Sequence, residues 1–157
     1  MTTYTLESSR EWYNNLPGKR ASAAMIIRAN DKYLMIKDDY KQAMTFPSGM
    51  IDPDESAKHA AIRETHEEVG IELLPDNVTF YSVSYISEHN GFKDRFHFFF
   101  IADLDDDTSQ NIVMGPTIED YKWVGSDEIG ELSGNRGAYA KLQEMLASHS
   151  PIPYFES

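Results

Sequence analysis

The stretch from Ser56 to Val69 constrains the chain more than any other, because it reads as a helix that gathers its acids onto one side. Its start is rich in acid and serine, and Gly70 stands where a left-handed C-terminal cap is expected. At about 100° per residue, Ala60, Glu64, Glu67 and Glu68 share one narrow arc, and Ile62 and Val69 lie opposite. Like charges at this spacing each cost a helix a few tenths of a kcal/mol. They also sit toward the C-terminal end, where the helix dipole disfavours anions. Something cationic is therefore expected to offset them, and hard oxygen ligands in a cluster suit Mg²⁺ or Mn²⁺. Ala60 is expected to leave room above the acids. The bland alternative is a solvated glutamate face on which Arg63 merely pairs with neighbouring acids.

The rest of the chain reads as one domain over residues 1–157. Residues 1–20 form a leader that packs or pairs weakly, and 148–157 form a tail. Arg20 to Arg28 and Lys32 to Lys37 read as strands joined by a hairpin at Asn30-Asp31. Val78 to Ser87 and Arg95 to Leu104 read as two more, joined near Asn90-Gly91, and Tyr121 to Val124 as a fifth. Gly137 to Ala147 reads as a helix with Tyr139, Leu142 and Leu146 on one face. This mixed order without strict alternation suggests an α+β domain, layered α/β/α around a mixed sheet. Cysteine is absent, which excludes disulfides and thiolate metal sites and fits the cytoplasm. No apolar run approaches the roughly 20 residues of a membrane helix. A net charge of −12 argues against a nucleic-acid polymer as partner. A small anionic substrate stays compatible with it if metal supplies local positive charge.

The spacing over Gly49 to Ile71, GMIDPDESAKHAAIRETHEEVGI, resembles the Nudix box, G-x5-E-x7-R-E-U-x-E-E-x-G-U with U apolar. Gly49, Glu55, Arg63, Glu64, Glu67, Glu68, Gly70 and Ile71 stand at the required positions. The departure is Thr65 at the first U, and Ser48 stands where the family commonly has glycine. ASAAMIIRANDKYLMIK followed by TFPSG is similar to the strand pair and loop that usually precede the box. EDYKWVGSDEIGEL is similar to the usual strand and short helix near the domain's end. The resemblance thus covers most of residues 20–147. It implies a Nudix-type α/β/α sandwich, with Glu64, Glu67 and Glu68 as metal ligands. Glu55 resembles an outer acid that orients the helix and reaches the metal through water, and Arg63 the arginine that fixes the glutamates. Gly49 and Gly70 resemble the loop and cap glycines.

The implied activity is Mg²⁺-dependent (or Mn²⁺-dependent) hydrolysis of a phosphoanhydride bond. The substrate is a nucleoside diphosphate linked to another group, or a nucleoside triphosphate. A non-catalytic Nudix-fold module that senses a nucleotide is the alternative. The base that activates water is expected to be Glu119, on a mobile loop before Tyr121 that reaches the metal cleft, or Glu68. Arg20, Arg28 and Lys37 are candidate phosphate contacts or plain surface charge. The aromatics of Phe96 to Phe100 fit a strand buried on both faces. Tyr13, Phe46 and Tyr85 are weak candidates for stacking a base. His59, His66, His89 and His97 show no metal-ligand pairing. The tail's Tyr154 and Phe155 either cover the core edge or dock on a second subunit, which leaves a homodimer open.

Overall fold

The central strand is the one whose residues alternate between two apolar layers. A computed structural model describes residues 5–89 and 91–157; Asn90, assigned to a turn with Gly91, lies outside the described residues. Strand β1 (Arg20–Ala29) buries Ala24 and Ile26 on one face and Ala23, Met25 and Ile27 on the other. A strand covered on both faces needs such a continuous apolar run.

β1 pairs parallel with β5 (Arg95–Asp103). On its other edge it meets β3 (Ser48–Met50) at Ser22 to Ala24, and β2 (Lys32–Asp38) at Arg28 and Ala29. Asn30 and Asp31 have φ of 51° and 58°, the left-handed pair that a tight hairpin of this twist requires. The full sheet runs β6-β2-β1-β5-β4-β7, with β4 at Thr79–Ile86, β6 at Ile118–Val124 and β7 at Tyr154–Glu156. Its pairings mix parallel and antiparallel, as expected. β6 begins three residues before the expected Tyr121. Ile118 is buried beside Asp38, and a register shift between Lys37 and Asp38 keeps it in the ladder. The charged Glu119 and Asp120 hid that start in the sequence.

Helix α2 (Ala57–Val69) covers the face of Ala23, Met25 and Ile27. Helices α4 (Ile129–Leu132) and α5 (Gly137–Ser148) cover the face of Ala24 and Ile26, which makes the α/β/α sandwich. Tyr139, Leu142 and Leu146 are buried from α5, on one face as read. Phe99 enters the α5 layer and Phe100 the α2 layer, so β5 is buried on both faces. Among the described residues no helix is long and apolar enough to cross a membrane.

Two short helices have no counterpart in the sequence reading. α1 (Leu6–Asn14) lies in the leader, stabilised by a Thr5–Ser8 capping box, and buries no residue. α3 (Asp106–Gln110) is capped by Asp105. Their local signals are the side-chain caps at their starts. The tail's role is decided by packing: β7 pairs parallel with β4, and Phe155 stacks on Phe99 at 6.5 Å between centroids. Phe155→Ala is expected to cost about 3 kcal/mol, measured by urea unfolding. A loss under about 1 kcal/mol, as for an ordinary surface site, would show that the tail does not seal the core.

Candidate active site

Helix α2 is closed at both ends by its own sequence. Ser56 Oγ accepts from the His59 amide at 3.2 Å, and Gly70 takes φ of 70° with its amide donating to His66 O. The buried stripe is Ala60, Ala61, Thr65 and Val69. Thr65 is satisfied in this apolar setting because its hydroxyl donates to Ala61 O at 2.7 Å. Two expectations need correction. Ala60 is fully buried against the sheet and leaves no space above the acids; its small size lets the helix approach β1. Ile62 is only partly buried, at the margin of the stripe. The acids border the buried face and do not oppose it, which brings Glu64 and Glu68 against the sheet edge.

Arg63 organises the acids. Its Nε and Nη2 donate to the two oxygens of Glu55, both at 2.9 Å. Its Nη1 reaches Glu64 at 2.7 Å and Glu67 at 3.3 Å, and Nη2 also donates to Met50 O at 3.1 Å. A planar guanidinium with five donors is suited to such a fan of acceptors. The Arg63 guanidinium, helped by the Asp52 amide, holds the Glu55 carboxyl down at about 2. The two glycines of the box have distinct steric reasons. A Cβ on Gly49 would lie 1.9 Å from Glu64 Oε1, so the Glu64 carboxylate lies over bare backbone of β3. Gly70 needs its left-handed φ, and a Cβ there would also meet Val113.

The sequence reading missed Gly115. A Cβ there would sit 2.2 Å from Glu67 O. The Gly115 amide donates to Glu68 O and the Val113 amide to Val69 O, so this segment satisfies carbonyls left free at the helix end. The only sequence signal was a Gly-Pro turn.

Glu68 Oε2 accepts from the Ser48 amide at 2.8 Å. Burial, with Asp38 and Glu64 nearby, pushes the Glu68 carboxyl up to about 8, and the Ser48 bond and Lys41 oppose it. Asp38 is a second carboxylate that the sequence did not single out. It is 4% exposed, and its Oδ2 lies 2.5 Å from Lys41 Nζ but outside hydrogen-bond alignment. Charge pairing without a hydrogen bond leaves that oxygen incompletely satisfied. Among the described residues no three acidic or histidine side chains are already grouped to hold an ion. Arg63 holds Glu55, Glu64 and Glu67, while Glu68 turns to Ser48. The donor chemistry still fits a hard divalent cation: oxygen ligands only, with half-buried Glu68 left without an ion-pair partner among the described residues.

Glu119 is placed differently from expectation. It lies within β6, not on a loop, and pairs with Lys37 Nζ at 2.5 Å. Arg28 is taken by Asp103 at 2.6 Å. Of the three candidate phosphate contacts, Arg20 alone has no carboxylate within ion-pair distance among the described residues. Phe46 is a fully buried core residue stacked on Tyr139, with centroids 5.4 Å apart, so it cannot stack a base. Tyr13 is exposed on α1. The Tyr85 hydroxyl donates to Asp94 at 2.9 Å. His97 bonds Ser22 across β1 and β5, and burial drives its pKa down to about 3, so it stays neutral.

With this geometry in view, comparison with known proteins is informative. The NUDIX domain family matches residues 18–145. No curated protein sequence matches the chain. Its fold is similar to a C. elegans Ap4A hydrolase in a binary complex, at TM-score 0.67 and 22% identity, covering 83% of this chain and 95% of that one. It is similar to a NUDIX hydrolase from Nitrosomonas europaea, at TM-score 0.68 and 20% identity, covering 87% and 93%. It is also similar to a Francisella tularensis bifunctional NMN adenylyltransferase/ADP ribose pyrophosphatase complexed with AMP and Mn ion. There the TM-score is 0.70 and the identity 17%, and the match covers 92% of this chain but 46% of that one. At these identities the likeness is one of fold.

The buried Glu68 carboxylate makes stability depend on pH. Its pKa is raised in the folded state, so folding favours its protonated form. Stability is fully present below the unfolded value of about 4.5 and declines as pH rises toward about 8. In metal-free protein, Glu68→Gln should therefore be neutral near pH 4.5 and stabilising by a few kcal/mol above pH 8. Thermal unfolding in EDTA across this range checks it, and a gain that does not grow with pH contradicts it.

Proposed function

The chain belongs to the Nudix family, and on that premise we propose that it is a pyrophosphohydrolase that cuts a phosphoanhydride bond in a small nucleotide derivative with the help of Mg²⁺, or Mn²⁺ in its place. The observation that carries the reading is the intact acid set of α2, with Glu64 held by Arg63 over the bare backbone of Gly49, half-buried Glu68 on the Ser48 amide and buried Asp38 nearby. A module that only sensed nucleotides would have no need of carboxylates packed at such cost.

Glu64, Glu67 and Glu68 would hold the cation, and Glu55 would set their position through Arg63. A bound divalent cation supplies charge neutralisation for the diphosphate and lowers the pKa of an attacking water. Arg63 keeps Glu64 and Glu67 oriented on one side of the helix, and the Ser48 amide fixes one oxygen of Glu68. The water's proton goes to Glu68 or Glu119. The Glu68 oxygen left free by Ser48 can hold the cation or take the proton but not both, so Glu68 serves as base only where Glu64 and Glu67 carry the ion, whereas Glu119 must first leave Lys37.

The test is release of phosphate or pyrophosphate over a nucleotide panel with and without Mg²⁺. Hydrolysis that requires Mg²⁺ is expected. Tight nucleotide binding with no turnover for any member would instead establish the sensing module. Glu67→Gln, which leaves the core untouched, should lower turnover by at least about 100-fold, several kcal/mol of transition-state stabilisation. Undiminished activity would remove Glu67 from the metal site. Glu119→Gln separates the two bases: turnover within about twofold of wild type assigns the role to Glu68, and a loss of about 100-fold or more assigns it to Glu119.

A further inference from the structure

In a chain with net charge −12, three arginines at one corner form no ion pair among the described residues, although Arg20 lies near Asp94. Arg20 and Arg95 are directly opposed partners on the parallel strands β1 and β5. By alternation they share the face of Ala24 and Phe99, the α5 side of the sheet. Arg136 caps the start of α5, where Gly137 lies against Ser157, whose hydroxyl bonds Ser84 on β4. None of the three has a carboxylate within ion-pair distance among the described residues. Asp94, adjacent to Arg95 in sequence, is already taken by Lys19 and the Tyr85 hydroxyl. Arg95 is half-buried, so its unpaired charge is costly where it stands.

The next row inward is polar as well. Ser22 and His97 are register partners joined by a side-chain hydrogen bond, and Ser84 lies opposite His97 on β4. The corner also adjoins the acid site. The Ile51 amide donates to Ala21 O, next to Arg20, and Met50, whose carbonyl accepts from Arg63, is the register partner of Ser22.

We propose that Arg20, Arg95 and Arg136 form a subsite for a phosphoryl group of the substrate that lies outside the scissile diphosphate. This rests on the hydrolase reading above and narrows it: the substrate is a nucleotide with a third phosphoryl group, not a nucleoside diphosphate capped by a neutral sugar. Guanidinium groups are suited to this role because they bind phosphate oxygens in bidentate fashion and stay charged when partly desolvated.

Two measurements test it. The first is the ratio of kcat/KM for a nucleoside triphosphate to that for a nucleoside diphosphate linked to a neutral hexose. Arg95→Gln and Arg136→Gln should each lower that ratio at least tenfold, and an unchanged ratio overturns the subsite. Arg136 is exposed, so its variant reads out the subsite even if Arg95→Gln fails to fold. The second is calorimetric titration of metal-free protein with inorganic tripolyphosphate. Wild type should bind it, and Arg95→Gln should bind at least tenfold more weakly. No measurable binding at millimolar ligand, or equal binding by both proteins, overturns the proposal. Tripolyphosphate binding that depends on Arg95 in a protein that hydrolyses no nucleotide would retain the subsite and reject the hydrolase reading. Mg²⁺-dependent hydrolysis with an unaltered substrate ratio would do the reverse.

Discussion

The guanidinium of Arg63 is the interaction on which the site depends. Glu64 and Glu67 stand on the same helix as Arg63, and Glu55 lies in the loop before it; without a cation among them they would repel one another near a helix C-terminus. Arg63 converts that repulsion into a fan of charge-assisted hydrogen bonds. It also reaches Met50 O, so the same side chain ties α2 to the end of β3. The acid cluster and the sheet edge are thereby one rigid object.

That edge is where β1 changes partners. β3 pairs with its first half and β2 with its end, and between them the Met25 amide donates to Pro47 O. The chain from Lys41 to Pro47 fills this gap, with Met44 and Phe46 in the core. Ser48 emerges from it with its amide aimed at Glu68. Glycine at position 49 then lets the Glu64 carboxylate close over the strand. The departure at Ser48 from the family's common glycine costs nothing visible here, because the interaction uses the backbone amide.

Two charge groups flank the sheet from its opposite faces. On the α2 side, half-buried Glu68 has no ion-pair partner among the described residues and lies near Asp38, whose charge is paired with Lys41. On the α5 side, Arg20, Arg95 and Arg136 have too little negative charge. Neither group relieves the other within the fold. Strain of this kind at a site is consistent with preorganisation for a ligand that carries both charges, cation and phosphate together.

Much of this was legible in the sequence. The box from Gly49 to Ile71 identified the helix, its acids, its arginine and its cap, because a fixed helical period turns spacing directly into proximity. The Asn30-Asp31 hairpin, the doubly buried β5 and the apolar face of α5 followed from equally local periods. What sequence could not supply depends on which strands lie side by side. Asp38 reads as a surface acid until a register shift turns it toward Glu68. Glu119 reads as a loop residue until β6 pairs with β2 and gives it Lys37. Arg20 and Arg95 are 75 positions apart and meet only through a parallel strand pairing, which no local pattern encodes. Residue spacing along one helix brought its acids and Arg63 together, and long-range strand order alone decided what surrounds them.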